Sequence, residues 1–252
     1  MKITFLGTGT STGVPEIGCT CDVCKSSDVK DKRLRASVLI NMDGKNILID
    51  CGPDFRQQML QQHFDKLHGV LLTHEHYDHV GGIDDLRPFC KFGDIDIYTE
   101  PYVADALKNR IPYCFEDNKY PGIPNISITE IGMDKFSIEN ISITPIRLMH
   151  HLLPITGFRI NNFAYLTDLK TIPESEFIKL QNLDALVINA LRIKEHISHQ
   201  TLEQALVNIQ KIAPKKAYLT HISHHLGLHE AVQSKLPANV FLAYDSLIIE
   251  SE

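Results

Sequence analysis

The feature that most constrains this chain is a run of metal-binding side chains directly behind a short apolar segment. Residues 74–79 read His-Glu-His-Tyr-Asp-His and follow the apolar residues 69–72. A buried strand that ends in such a run places it at one edge of a sheet. Imidazole nitrogens and carboxylate oxygens are ligands that zinc, manganese and iron accept. Four donors this close in sequence cannot all reach one ion without strain, so two pairs are predicted to face two ions: His74 with His76, and Asp78 with His79.

Three later segments with the pattern of strands also end in a metal-binding residue. Residues 141–149 precede His150 and His151, residues 163–167 precede Asp168, and residues 217–220 precede His221. We predict that His74, His76 and His150 bind one ion, that Asp78, His79 and His221 bind the other, and that Asp168 bridges them. His151 stays an alternative to His150, because adjacent residues of an extended segment point in opposite directions.

A second metal site is predicted from a cysteine triplet near the start of the chain. Cys19, Cys21 and Cys24 lie within six residues, and three thiols so spaced are typical of a closed tetrahedral zinc site. The fourth ligand has to come from elsewhere in the chain. The other three cysteines stand singly among apolar residues, where a small buried side chain is expected: Cys51, Cys90 and Cys114.

Asp50 ends the second strand of a predicted hairpin, whose turn is Asp43-Gly44. This position is expected to bring the Asp50 carboxylate behind the metal ligands. We predict that Asp50 orients a ligand histidine from outside the coordination sphere.

The order of the remaining elements predicts one domain over residues 1–252 with two packed sheets and helices outside them. Strand patterns lead in both halves of the chain. Helices are predicted at 54–63, 80–91, 102–109, 200–212 and 230–235, and an irregular connection at 111–125. The fold class is therefore expected to be α+β.

Charge and composition exclude some classes of partner. The formal charge of −6 argues against a protein that binds extended nucleic acid, which needs basic surface. Neither an apolar run of membrane-spanning length nor a targeting segment is visible, so no membrane partner is expected. Six cysteines without such a segment are expected to be reduced, and a cytoplasmic location follows.

The ligand series resembles that of the metallo-β-lactamase superfamily. The resemblance covers essentially the whole chain, through the pattern His74-x-His76-x-Asp78-His79 followed by His150, Asp168 and His221. Further motifs narrow the resemblance to one group within the superfamily. They are the opening Gly-Thr-Gly-Thr-Ser-x-Gly-x-Pro at 7–15, the cysteine triplet, and the histidine-rich segments 192–199 and 219–224. Together they resemble the cyclic phosphodiesterases of phosphonate breakdown.

The resemblance implies a fold, a second zinc ligand set and a reaction. The fold is an αββα sandwich of two mostly antiparallel sheets. His224 would complete a structural zinc site with the three cysteines, and His199 would be a non-ligand active-site histidine that contacts phosphate and acts as general acid. A homodimer is also implied.

Two ions close together generate hydroxide from water between them and neutralise an anionic substrate. The implied activity is the opening of phosphoribosyl 1,2-cyclic phosphate, or of a related ribosyl or nucleotide cyclic phosphate, by that hydroxide. The two active-site ions would be manganese or zinc, and the substrate a small phosphate ester. Arg56, Arg87 and Arg192 are equal candidates to bind a second phosphate.

Other reactions stay open on the same ligand set. A lactone or thioester hydrolase would need the same metals. An RNA-processing nuclease would usually carry a long basic arm, which this chain lacks, and a redox di-iron protein of this fold carries a carboxylate at the position of His76.

Overall fold

Two β-sheets of seven strands each pack together in the part of the chain that the computed structural model describes, residues 1–116 and 122–251. The strand order is β14-β1-β2-β3-β4-β5-β6 in the first sheet and β13-β12-β11-β10-β9-β8-β7 in the second. The strands are β1 Lys2–Gly7, β2 Ser37–Met42, β3 Lys45–Ile49, β4 Gly69–Leu71, β5 Ile95–Thr99, β6 Ile126–Glu130, β7 Phe136–Ile138, β8 Ile141–His150, β9 Leu153–Ile160, β10 Phe163–Leu166, β11 Ala185–Asn189, β12 Lys216–Thr220, β13 Val240–Leu242 and β14 Ile248–Glu250.

Each sheet is antiparallel on one side and parallel on the other. β1, β2 and β3 pair antiparallel, and Asp43 and Gly44 in the predicted hairpin turn have φ of 50° and 73°, as a type I′ turn requires. From β3 to β6, and again from β10 to β13, the strands pair in parallel. The expectation of mostly antiparallel sheets is therefore wrong in this detail, because helical crossovers return the chain to the same end of the sheet.

The α-helices lie in those crossovers, except for the first one, which lies between the antiparallel strands β1 and β2. The α-helices are α1 Asp22–Lys25, α2 Phe55–Met59, α3 Tyr77–Val80, α4 Pro101–Arg110, α5 Leu202–Ile212 and α6 His229–Gln233. Four 3-10 helices span Val29–Asp31, Ile83–Phe92, Pro112–Cys114 and Glu174–Leu180 among the described residues.

Two predicted helices agree with the structure to within two residues at each end, 102–109 with α4 and 200–212 with α5. α5 begins at a capping box formed by Thr201 and Gln204, which satisfies two backbone donors at the helix start. The helix predicted over 80–91 is instead α3 followed by a 3-10 helix that contains Pro88, because proline lacks the backbone donor of an α-helical interior. The helix predicted over 54–63 ends at Met59.

Three layers of apolar side chains hold the sheets and helices together. The central layer joins both sheets through residues such as Phe5, Phe158 and Tyr165, all fully buried. A second cluster packs α5 on the second sheet through Ala205 and Ile209, and a third covers the outer face of the first sheet. These layers confirm the predicted αββα sandwich.

Two further points concern the comparison of predicted and observed elements. The strand β7 was not predicted. The irregular connection predicted at 111–125 includes residues 117–121, which lie outside the described residues. No helix within 1–116 and 122–251 is both long and apolar enough to cross a membrane.

Candidate metal centre

The predicted ligands gather where strands of both sheets end. His74 follows β4, Asp168 follows β10, His221 directly follows β12, and His150 is the last residue of β8. Asp168 and His221 have φ of 65° and 54° although neither is glycine. Such backbone conformations concentrate at functional sites, where the surrounding structure has to hold them in place.

Asp168 is shared by all three groups of metal-capable side chains at this edge. Within each group the candidate ligand atoms lie within 4.8 Å of one another. The groups are Asp78, His79, Asp168 and His221; His74, His76 and Asp168; and His150, Asp168 and His199. The structure therefore brings every predicted active-site ligand together around one carboxylate.

The two oxygens of Asp168 face different imidazoles. Oδ1 lies 3.1 Å from Nε2 of His221, whereas Oδ2 lies 3.2 Å from Nε2 of His79 and 3.6 Å from Nε2 of His74. Asp78 Oδ2 approaches the same His79 and His221 nitrogens at 3.2 and 3.4 Å. This arrangement suits a carboxylate that bridges two cations.

Charge and burial both fit divalent ions at this position. Burial alone would lower the pKa of His79, but the carboxylates of Asp168, Asp78 and Asp50 raise it well above the ordinary value. A site that draws a proton onto a buried imidazole has an excess of negative charge, which a divalent ion would neutralise. Nε2 of His74 is buried without a hydrogen-bond partner among the described residues, as expected for a nitrogen that binds metal.

Asp50 lies behind the cluster as predicted. It is fully buried, and its Oδ2 is 2.7 Å from Nδ1 of His79. Oδ1 accepts a hydrogen bond from the backbone N–H of Thr73 at 2.9 Å. Asp50 therefore fixes the His79 ring and directs Nε2 toward Asp168.

The structure distinguishes His150 from His151. His150 is buried, its Nδ1 contacts the carbonyl oxygen of Asp168 at 2.6 Å, and its ring centroid is 5.1 Å from that of His76. His151 lies in the turn after β8 with φ of 55° and is exposed. Of the two, only His150 points into the cluster.

His199 lies beside the cluster on another loop. Its ring centroid is 4.6 Å from that of His150 and 5.0 Å from that of His221. Burial, together with the neighbouring imidazoles of His221 and His150, lowers the pKa of His199 to about 3. Burial therefore favours the neutral form of this imidazole at the edge of the site.

The cysteine triplet meets His224. Nδ1 of His224 is 3.3 Å from Sγ of Cys19 and 3.3 Å from Sγ of Cys21, and Cys24 completes the group. Hydrogen bonding with His224 lowers the pKa of the Cys21 thiol to about 6, which favours the thiolate that metals bind. The structure brings together four side chains of the predicted zinc site.

Threonines before the ligands were missed. Thr73, Thr167 and Thr220 each precede a predicted ligand and are buried. Thr73 Oγ1 contacts Nδ1 of His74 at 3.0 Å, and Thr167 Oγ1 donates to Asp168 at 2.9 Å. The repeated Thr-ligand dipeptide was the available signal.

Two of the three arginines considered for a second phosphate have partners of their own. Arg87 pairs with Asp84, and Arg192 donates to the carbonyl oxygens of Lys194 and Glu195 in its own loop. Neither guanidinium contacts the metal-ligand cluster in the structure.

Replacing Asp50 with asparagine is expected to weaken metal binding by roughly 10–100-fold, because the neutral side chain no longer supports the His79 ligand. The measurement is zinc affinity by competition with a chromophoric chelator. Asp54→Asn is the matched control, since Asp54 pairs with Arg35 instead. Equal affinities in the two variants would contradict this role for Asp50.

Comparisons with known proteins agree with the fold. The family model "Beta-lactamase superfamily domain" matches residues 45–222. An octanoyltransferase from Porphyromonas gingivalis is 48% identical over 250 residues, which are 98% of this chain and 51% of that protein. This chain spans about half the length of the curated relatives that it matches.

Solved structures resemble the chain over its whole length. A diphosphatase from the PhnP family has a TM-score of 0.94 at 38% identity, with 100% of this chain and 98% of that chain covered. Zn²⁺-bound PqqB from Methylobacterium extorquens has a TM-score of 0.79 at 18% identity, with 100% of both chains covered, which shows the shared fold. Because the family model matches more than half of the chain, including strands of both sheets and every predicted ligand of the histidine cluster, the chain belongs to the beta-lactamase superfamily.

Proposed function

We propose that this chain is a metal-dependent hydrolase that opens a cyclic phosphate diester. The observation that carries the proposal is the position of Asp168, whose carboxylate lies within 3.6 Å of His74 from one ligand set and of His79 and His221 from the other. The similarity to a PhnP-family diphosphatase at 38% identity supports phosphorus chemistry.

Ring contacts support the ligand sets predicted from the sequence, because the His150 ring centroid lies 5.7 Å from that of His74 and 5.1 Å from that of His76. His74, His76 and His150 would hold one ion, and Asp78, His79 and His221 the other, with Asp168 between them. Zinc and manganese both accept nitrogen and oxygen donors of this kind. When bound, such a pair of ions supplies Lewis acidity toward the phosphoryl oxygens and lowers the pKa of water.

The chain's own residues hold the ligand groups in place and contact the substrate. Asp50 keeps the His79 ring in position, and Asp168 fixes the spacing of the two ligand groups. We propose that His199 contacts a phosphate oxygen of the substrate. Its ring borders both His150 and His221, and its buried Nδ1 has no hydrogen-bond partner among the described residues. An anion held there favours the protonated imidazole, and protonated His199 would then donate to the leaving sugar oxygen.

The cysteine group is proposed as a structural zinc site, with Cys19, Cys21, Cys24 and His224 as ligands. Nε2 of His224 is 3.1 Å from Glu16 Oε2, which orients the ring from outside the site. His221 and His224 are separated by two residues, so one short segment would serve both metal sites.

Replacing His224 with alanine is expected to remove about one zinc per chain, because a tetrahedral site loses one of its four ligands. The metals bound by the Asp168 cluster should remain. Elemental analysis of the purified protein measures both, and the neighbouring His225→Ala is the control. An unchanged zinc content in His224→Ala would contradict the assignment.

A second candidate function is hydrolysis of an acyl ester or thioester. The observation that favours it is the 48% identity to a protein named octanoyltransferase. The chain aligns with half of that protein, so the named activity belongs to a molecule about twice as long. Phosphorus remains our preferred target because the diphosphatase resembles this chain over its whole length.

Phosphorus NMR of the metal-loaded protein tests the proposal. The substrates are ribosyl 1,2-cyclic phosphate, 2′,3′-cyclic nucleotides and a linear diester, with an octanoyl thioester assayed in parallel. Ring opening by the unmodified chain and by Asp84→Ala, but not by Asp78→Ala, is expected. Hydrolysis of the thioester alone, with both ions bound, would refute phosphodiester chemistry in favour of the acyl reaction.

A further inference from the structure

Residues 192–198, which lead to His199, have little apolar packing of their own. Residues 190–200 connect β11 to α5 without a helix or strand. Ile193 and Ile197 are 57% and 70% exposed, so their side chains do not anchor the segment in the core. Yet His199 at its end is buried against His150 and His221. Polar contacts therefore have to determine where His199 lies.

The side chain of Lys170 supplies contacts of this kind. Its Nζ donates to the carbonyl oxygens of His196 at 2.8 Å and of His199 at 3.3 Å. It also contacts Gln204 Oε1 at 3.2 Å and pairs with Glu195. One ammonium group thus joins the loop to the capping box of α5.

The backbone of Lys170 belongs to the other half of the site. Its N–H donates to the carbonyl oxygen of Met149 at 2.7 Å. Met149 immediately precedes His150 and forms an antiparallel bridge with Thr171. Lys170 also lies two residues after Asp168. The residue therefore connects the turn of Asp168 and the end of β8 to the loop of His199.

Two buried carboxamides complete the connection. Asn189 Oδ1 accepts from the N–H of Leu169 at 2.9 Å, and its Nδ2 donates to the carbonyl oxygen of Leu169 at 3.2 Å. Gln200 Nε2 donates to the carbonyl oxygen of Asn189 at 2.6 Å. These bonds fix Leu169 and Gln200, the neighbours of Lys170 and His199. Arg192 holds the carbonyl oxygens of Lys194 and Glu195 at the start of the loop, and Lys170 holds those of His196 and His199 at its end.

We infer that Lys170 is a positioning residue that holds His199 against the metal cluster. The inference rests on the proposed function for the role of His199 in binding phosphate. The contacts of Lys170 with the loop do not depend on that function. The Lys170 side chain is 17% exposed and that of Glu195 is 66% exposed, so solvent weakens their ion pair. The bonds to the two loop carbonyls are the part that determines position.

The test compares Lys170→Met with Lys179→Met in the zinc-loaded protein. Lys179 is a matched control: its side chain is 28% exposed, it pairs with Glu176 at 2.9 Å and donates to the carbonyl oxygen of Pro145 at 3.2 Å. The first readout is the NMR signal of the His199 imidazole, identified by its absence in His199→Asn. We expect this signal to move or broaden in Lys170→Met and to stay unchanged in Lys179→Met.

The second readout is turnover of the cyclic phosphate that the unmodified chain opens. A displacement of about 1 Å at a reacting group costs roughly 100-fold, so kcat of Lys170→Met should fall by about that factor while KM and metal content change little. Lys170→Arg, which keeps the charge, should recover part of kcat and give a smaller shift of the His199 signal.

The outcomes separate this inference from the proposed function. An unmoved His199 signal in Lys170→Met overturns the inference, whatever the activity. A displaced signal supports it even if the unmodified chain opens no phosphate ester, a result that refutes the proposed function alone. If Lys170→Met does not fold, Lys170→Gln takes its place, because its shorter, uncharged side chain removes the ammonium contacts, and an unmoved His199 signal in that variant again overturns the inference.

Discussion

Replacing Asp168 with asparagine is expected to abolish measurable hydrolysis, with turnover falling by about 10³-fold or more. The carboxylate lies within 3.6 Å of nitrogens from His74, His79 and His221. An amide has almost the same shape, but it offers one oxygen and no charge to the two ligand groups. Turnover of the cyclic phosphate and the number of bound metals per chain are the measurements.

Asp134→Asn is the control for this prediction, since Asp134 is an exposed residue outside the cluster. The Asp168 variant should retain the zinc of the cysteine site, which shows that the chain is folded. Full activity of Asp168→Asn with both ions bound would contradict a bridging carboxylate.

Replacing Arg33 with methionine is expected to lower the free energy of unfolding by about 3–5 kcal/mol. The guanidinium is 4% exposed and donates to Thr8 Oγ1 at 2.8 Å and to the carbonyl oxygen of Ala243 at 2.6 Å. The backbone of Thr8 in turn accepts from the N–H of Ile222. Methionine keeps the apolar stem but leaves buried acceptors and carboxylates without their cation. Urea denaturation measures the loss.

The pH dependence of this loss identifies its cause. Burial raises the pKa of Asp245 to about 6 in the folded chain. For a raised carboxyl pKa, the stabilising contribution is present below the unfolded value and is lost as pH rises through the folded value. Without Arg33 the charged form of Asp245 is still less favourable, so the loss should be larger at pH 8 than at pH 5.

Two further variants test the Arg33 prediction. Asp245→Asn combined with Arg33→Met should recover part of the stability, because the unpaired carboxylate is gone. Arg35→Met should cost about 1 kcal/mol or less, since the Arg35 side chain is 29% exposed. Equal losses for Arg33 and Arg35 at both pH values would show that burial of the charge is not the cause.

Sequence reasoning reached the fold where local signals were strong. Strand patterns and the Asp43-Gly44 turn indicated the first hairpin, and the helix predicted over 200–212 corresponds to α5. It did not reach the parallel halves of the sheets, because strand direction depends on crossovers between distant segments. It also missed β7, three residues whose pairing with β8 depends on tertiary contacts.

The residues of the candidate metal cluster were predictable because metal-binding chemistry is restricted to a few residue types, which here follow strand ends. The residues behind them were not. Lys170 and Asn189 act through contacts with carbonyl and amide groups of the backbone, and any polar side chain could make such contacts. Arg33 gave no signal as a buried cation, because an arginine in a loop is exposed by default. Only the packed structure shows which of these side chains face inward.

The most direct test of the central claim is anomalous X-ray diffraction at the zinc edge on crystals of the zinc-loaded chain. Two peaks about 3.5–4 Å apart, one on each side of the Asp168 carboxylate, are expected, together with a third peak among Cys19, Cys21, Cys24 and His224. A single peak in the histidine cluster, or two peaks without Asp168 between them, would contradict the shared-carboxylate site from which the proposed hydrolysis follows.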